Sequence, residues 1–285
     1  MDRIAGAIAA KRHPLTLAHL SMIDADPITL VKAAEAGGFD GIGLRVLPPK
    51  GTVLAGEIVG HPAVVTEVRG MLRDSGLALY DAESFSLRPE TDIRADYEPA
   101  LATVAELEGR AVLTSVVDPD PARAFEKYCE LCDLGAIYGL KVGLEYISFR
   151  DLRTLAEALA YVERSGKSNA GVIVDALHHS RVGGSPDELA AVNPACLAYA
   201  QICDAVAEIP AGNDGLLAEA RTGRLLPGDG SLWLKDWVIA LPPMLPISVE
   251  APVTALAGMT PVERGRVIGE KARGFLADCD QPVAF

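Results

Sequence analysis

The sequence predicts an α/β protein built as a single (β/α)8 TIM barrel over residues 1–285. Three observations carry that expectation. Eight short runs rich in Val, Ile, Leu and Ala recur along the chain, amphipathic stretches of helix formers lie between most of them, and glycines stand where those helices should stop.

The strand-like runs cover residues 16–20, 41–47, 78–84, 110–117, 141–146, 171–175, 197–203 and 246–251. Eight is the number that closes a parallel barrel. Helical periodicity, with apolar residues every three to four positions, marks 27–36, 63–74, 97–108, 121–138 and 151–165. Gly37-Gly38, Gly76, Gly139 and Gly166 follow four of these stretches and precede the next strand, as left-handed C-caps would. A doubly wound open sheet uses the same alternation, but its dinucleotide-binding form needs a glycine-rich loop after the first strand. The residues there are Ser21-Met22-Ile23-Asp24-Ala25-Asp26, so that form is set aside. Gly183-Gly184 and Gly228-Asp229-Gly230 lack phosphate-loop spacing and read as turns.

Composition narrows the function. A chain of 285 residues that is 49% hydrophobic and 23% charged can bury a full-sized core. Its net charge of -13, from 39 acidic and 26 basic residues, repels phosphate backbones and anionic membranes, so neither nucleic acid nor a membrane is expected as a partner. Met1-Asp2-Arg3-Ile4 lacks the features of a signal peptide, which reads as cytoplasmic. Five scattered cysteines argue against a disulfide framework, and Cys129 and Cys132 read as two small apolar residues one helical turn apart.

In a TIM barrel the chemistry sits where the strands end, at the C-terminal face. Four consecutive late strands carry polar side chains there: Glu145 after Val142-Gly143-Leu144, Asp175 after Val172-Ile173-Val174, Gln201 in Ala200-Gln201-Ile202-Cys203-Asp204, and Glu250 after Ile247-Ser248-Val249. Three carboxylates on one rim cannot all stay ionised without a counter-cation. One divalent metal ion held by Glu145, Asp175, Gln201 and Glu250 resolves the conflict; carboxylate and amide oxygens suit Mn²⁺ or Mg²⁺, with Zn²⁺ or Co²⁺ as alternatives. His178, three residues past Asp175, is a candidate for substrate binding, whereas His179 is expected to point away. His19, Arg45 and Glu83, at the first three strand ends, are candidates to line the same pocket. Arg221 or Arg224, in the connection before the last strand, is a candidate clamp for a substrate oxygen or carboxylate.

Gly143-Leu144-Glu145, Val174-Asp175-Ala176-Leu177-His178, Gln201-Ile202-Cys203-Asp204, Arg224-Leu225-Leu226-Pro227-Gly228-Asp229-Gly230 and Ile247-Ser248-Val249-Glu250 resemble motifs of the xylose-isomerase-like TIM-barrel superfamily. The likeness is to its sugar phosphate isomerase/epimerase group, which includes inosose isomerases, ketose 3-epimerases and 3-dehydroshikimate dehydratases. It spans nearly the whole chain. It implies a metal on Glu145, Asp175, Gln201 and Glu250, substrate contact by His178, and proton removal next to a metal-bound carbonyl with Glu145 and Glu250 as the acid/base pair. Many epimerases of the group have histidine where this chain has Gln201, a residue similar to the dehydratase branch. The first expectation is therefore an isomerase or epimerase of a small keto-sugar or keto-polyol. The second is a lyase that dehydrates a 3-dehydroshikimate-like hydroxyketone, and the non-enzyme alternative is an accessory or binding barrel. An abasic-site endonuclease, also in the superfamily, needs many histidines and a basic groove, against five histidines and a charge of -13 here. The apolar residues 281–285 offer a surface for a homo-oligomer or for packing on their own barrel.

Overall fold

Prolines and short polar side chains set the outer layer. A computed structural model describes residues 13–279, so the readings of residues 1–4 and 281–285 lie outside the described residues. Helix α1 (Pro27–Ala36) opens with Pro27 at its first turn, and Asp26 accepts from the Thr29 amide at 2.8 Å. Helices α2 (Pro62–Ser75) and α4 (Pro121–Ile137) also begin on proline, the latter capped by Asp120. Helix α3 (Ile93–Glu106) starts four residues before the expected 97 because Asp92 caps the Ala95 amide, with Pro99 carried inside the helix. Helix α5 (Leu155–Ser165) starts four residues after the expected 151, where Thr154 and Glu157 form a capping box. Gly76 and Gly166 end α2 and α5 at φ 72 and 62, the left-handed geometry that glycine adopts without steric cost.

Inside this layer lie eight parallel strands: β1 (Leu15–Leu17), β2 (Gly41–Arg45), β3 (Ala78–Leu87), β4 (Ala111–Val116), β5 (Lys141–Glu145), β6 (Ala170–Asp175), β7 (Leu197–Ile202) and β8 (Ile247–Val249). They pair in sequence order and close, with Leu17 of β1 opposite Val249 of β8. The closed (β/α)8 barrel is the expected fold. Strand β1 is shorter than expected, since the chain turns at Ala18 into a 3₁₀ segment His19–Met22. Strand β3 is longer than expected and runs on to Leu87, with a cis Glu83-Ser84 peptide and a register shift against β4.

Successive strand residues face opposite sides, so residues two apart occupy successive layers of the lumen. Leu113, Ile173 and Tyr199 form a buried cluster of their own, separate from the main core beneath the helices. Glycine makes room for this layer: a side chain at Gly43 would meet the Asp81 carboxylate, and one at Gly143 would meet Ile173. Two residues further along the same strands stand Arg45, Glu83, Glu145, Asp175 and Gln201. The strand period thus lifts those polar side chains to the C-terminal mouth, above a floor that is apolar except for Asp81 and the Tyr199 hydroxyl.

After β6 come α6 (Ala176–Arg181) and α7 (Pro186–Ala190); after β7 come α8 (Gly212–Ala218), a π-helical turn Glu219–Gly223 and α9 (Leu234–Ala240). The last helix, α10 (Pro261–Cys279), lies on α1. A side chain on Gly265 would run into the Ala33 carbonyl, and one on Gly269 into that of Gly37, so two glycines one turn apart let the helix backbones touch. Arg273 closes the seam by donating to the carbonyls of Gly37 and Gly38. Cys129 and Cys132 lie on α4 as free thiols; burial pushes that of Cys132 up to about 12, in keeping with an apolar role. No helix of the described residues is long and apolar enough to cross a membrane.

Candidate metal centre

Glu145 ends β5, Asp175 ends β6, Gln201 is the penultimate residue of β7, and Glu250 directly follows β8. All four are buried, the most open of them, Glu145, only 6% exposed. Oxygen atoms of Glu145 and Asp175 and a ring nitrogen of His178 lie within 4.8 Å of one another, a spacing that can hold a metal ion. Asp175 also caps α6 by accepting from the His178 amide at 2.9 Å, which fixes His178 beside it. The His178 ring then reaches Ser148 Oγ with Nδ1 at 3.1 Å and brings Nε2 to 4.0 Å from Glu145 Oε1.

Arg224 joins the other half of the site. Its guanidinium donates to Asp175 Oδ2 at 2.6 Å and lies 3.0 Å from Glu250 Oε2, while its Nε donates to the Ala220 carbonyl at 3.0 Å. Gln201 donates from Nε2 to Glu250 Oε1 at 3.0 Å, which leaves its own oxygen, Oε1, buried with no partner. The sequence left Arg221 and Arg224 as alternative clamps at the pocket edge; Arg224 is buried against two carboxylates and Arg221 is exposed.

The charges act on one another as the burial requires. Burial, and then the charges of Glu250 and Asp175, push the Glu145 carboxyl well above its ordinary range. Burial raises Glu250 to about 8 against the pull of Arg224. For Asp175 burial works upward too, but Arg224 and the bonds from Arg224 and His178 hold it below its ordinary value. Burial takes His178 down to about 4, so its ring is neutral at pH 7 and free to act as a ligand or acceptor.

These donors fit a divalent cation. Three carboxylates face one guanidinium, and a buried amide oxygen without a partner is the kind of atom a cation satisfies. Glu145, Asp175 and His178 have the spacing that could hold it, and Arg224 ties Asp175 to Glu250, which Gln201 joins.

Arg45 and Glu83 form a buried ion pair at the same rim, where Glu250 and Glu145 add to the pull of Glu83 on the guanidinium. His19 is engaged on both ring nitrogens by backbone: Nδ1 accepts from the Arg45 amide at 2.9 Å, and Nε2 meets the Ala25 carbonyl at 2.9 Å. It therefore orients Arg45 rather than offering a free polar edge. His179 faces elsewhere, between Tyr146 Oη and the Ser185 carbonyl.

Sequence reading gave no role to Asp204. Its buried carboxylate accepts from the amides of Ala205, Gly228 and Leu232, and its backbone pairs with Leu225 in both directions. Those bonds fix the loop that delivers Arg224, and Gly230 is needed there because a side chain would run into Asp204 and Ala205. The signal was present in the Gln201-Ile202-Cys203-Asp204 motif, but nothing in it distinguished an anchor from a ligand.

The model of the xylose isomerase-like TIM barrel family matches residues 30–260. The chain belongs to that family. Among curated proteins it is similar to a 3-dehydroshikimate dehydratase of Pseudomonas aeruginosa, 24% identical over 221 residues, which is 73% of this chain. The chain spans about a third of that relative's length, 33%. Among solved structures it is similar to an IOLI protein with a bound zinc atom, with a TM-score of 0.73, 17% identity, and 94% of this chain and 98% of that one covered. It is also similar to a D-psicose 3-epimerase solved in the presence of D-fructose, with a TM-score of 0.67, 19% identity, and 93% and 97% covered. At these identities the structural likeness establishes the fold, and the activity must come from the site itself.

Proposed function

We propose that this protein is a divalent-metal-dependent isomerase or epimerase of a small keto-sugar or keto-polyol, acting by proton abstraction next to a carbonyl. The observation that carries the reading is the buried set of Glu145, Asp175 and Glu250 around one guanidinium, with the unpartnered oxygen of Gln201 among them. When bound, a divalent ion would polarise the substrate carbonyl and lower the cost of removing the neighbouring proton.

The chain's own residues divide the remaining work. Glu145 and Glu250 stand on different strands of the closed ring and can move a proton at opposite faces of a substrate between them. Glu250 is held in place by Gln201 and Arg224, whereas Glu145 lies beside His178 and Asp175. The neutral His178 ring, oriented by Ser148, supports binding of a substrate hydroxyl. The Arg45–Glu83 pair lines the same rim as a further polar contact for the substrate.

Two measurements test this. Metal analysis of purified protein should find one divalent ion per chain, lost in Glu145→Gln and Glu250→Gln; a wild-type protein that never holds stoichiometric metal sinks the reading. Incubation with keto-sugars in deuterated water should place solvent deuterium on the carbon beside the carbonyl. A second reading, dehydration of a 3-dehydroshikimate-like hydroxyketone, is favoured by Gln201, which resembles the dehydratase branch, and by the curated relative. It would give the ultraviolet band of an aromatic product without deuterium exchange into recovered substrate.

A further inference from the structure

Helix α6 carries two adjacent histidines, and each meets a different residue at the end of β5. His178 brings Nε2 to 4.0 Å from Glu145 Oε1 at the mouth of the lumen. His179, about 100° further round the helix, meets Tyr146, the residue after Glu145, whose ring belongs to the main core beneath the helices. The Nδ1 of His179 lies 2.9 Å from Tyr146 Oη, and its Nε2 lies 2.9 Å from the Ser185 carbonyl oxygen. The pair Glu145-Tyr146 on the strand is thus matched by the pair His178-His179 on the helix.

The His179 ring has little room to move. It and Tyr146 are buried, and its edge meets the Tyr146 and Trp233 rings at centroid separations of 6.0 and 5.7 Å. The turn after α6 closes on it as well, since a side chain at Gly184 would come within 2.4 Å of the ring. A carbonyl oxygen can only accept, so in the neutral ring the proton sits on Nε2 and Nδ1 accepts from the Tyr146 hydroxyl. Truncating either partner strands a buried polar atom that water cannot reach. A bond of this kind specifies one placement of helix on strand, where apolar contact alone tolerates several.

We infer that Tyr146 and His179 are positioning residues: their hydrogen bond registers α6 against the end of β5, and so sets the gap between Glu145 and His178 in which a cation is held. Asp175 belongs to the same arrangement, because it directly precedes α6 and accepts from the His178 amide at 2.9 Å. One bond outside the site thus orders the three groups whose donor atoms lie within 4.8 Å of one another. The consequence for metal affinity rests on the proposed metal centre, whereas the registration of α6 stands apart from it.

The test pairs Mn²⁺ titration calorimetry with hydrogen–deuterium exchange of the protein in EDTA, both on the full chain. Tyr146→Phe removes the hydroxyl alone, and His179→Gln keeps a donor for Ser185 while giving up the acceptor at Nδ1. Each should bind Mn²⁺ about tenfold more weakly than wild type. Each should also speed exchange of the α6 amides severalfold, that of His178 included, while leaving α1 unchanged. His179→Asn, whose side-chain oxygen falls near the place of Nδ1, should recover most of the affinity. The double variant should bind no more weakly than the weaker single one, since both changes remove the same bond. Gly265→Ala, which disturbs the seam between α1 and α10, should keep wild-type affinity and so separates positioning from general destabilisation. Exchange in α6 that matches wild type in both single variants overturns the inference, as do losses of affinity that multiply in the double variant. Mn²⁺ binding in wild type with equal binding in both single variants overturns it too. A wild type that binds no Mn²⁺ refutes the metal centre, and exchange in α6 then decides the registration by itself.

Discussion

Replacing Arg224 with methionine is the sharpest probe of the charge balance. The guanidinium is 2% exposed and meets Asp175 at 2.6 Å and Glu250 at 3.0 Å. Methionine keeps much of the volume and removes the one cation that, among the described residues, forms an ion pair with both carboxylates. Removing one partner of a buried ion pair costs about 3–5 kcal/mol, because the other partner stays buried without compensation. For a chain of this size, each kcal/mol moves the melting temperature by about 2 °C, so Arg224→Met should melt roughly 6–10 °C below wild type in EDTA. Three carboxylates against one guanidinium leave two formal negative charges in the wild type, and the variant has one more to neutralise. Excess Mn²⁺ should therefore raise the melting temperature of the variant by more than it raises that of the wild type. Thermal unfolding by circular dichroism in both buffers reads each quantity. A variant within about 1 kcal/mol of wild type in EDTA would show that Arg224 is not the internal counter-ion. A smaller response to Mn²⁺ than wild type would refute the cation-site reading.

Three further expectations concern the frame around the site. Gly265→Ala should lose about 1–3 kcal/mol in urea unfolding while keeping its metal content, and a neutral change would mean that the seam between α1 and α10 is looser than described. Asp81 is buried under Glu83, and burial followed by that charge raises its carboxyl well above 3.8. Its stabilising share is thus fully present below 3.8 and is lost as pH rises through the folded-state value, so Asp81→Asn should flatten the decline of stability as pH rises above 3.8; parallel curves would exclude it. Iodoacetamide at neutral pH should label the half-buried Cys129 and Cys196 before Cys132 and Cys203, whose thiols burial raises to about 12, and mass spectrometry that finds Cys203 modified first would contradict this.

The parts of the fold that follow from a short period were readable in the sequence. Short apolar runs located the strands, and the carboxylates that end β5 and β6, with Glu250 just past β8, followed from those strand ends. Helix starts were misplaced where the apolar period and the cap disagree: the period of α3 reads from residue 97, although Asp92 starts the helix at Ile93. The site was less legible wherever it depended on connections. Arg224 reaches Asp175 across 49 residues, through a loop that the bonds to Asp204 help to define. Phe149, in the turn after β5, carries no motif, yet its ring packs edge-on against His178. His19 was legible as a strand-end polar residue, but the backbone bonds that occupy its ring arise only once β1 and β2 are side by side.

The glycine seam between α1 and α10 has a consequence for how the chain reaches its folded state. Arg273 bonds Gly37 across 236 residues of sequence, and β8, which must complete the ring beside β1, lies just upstream of the same helix. Contacts of that separation form late, because a long loop must close before they contribute. During synthesis the face of α1 around Ala33 and Gly37 therefore stays uncovered until α10 has been made. Closure of this barrel accordingly waits on α10, and the same backbone contact that tightens the finished ring also defines its most vulnerable interval.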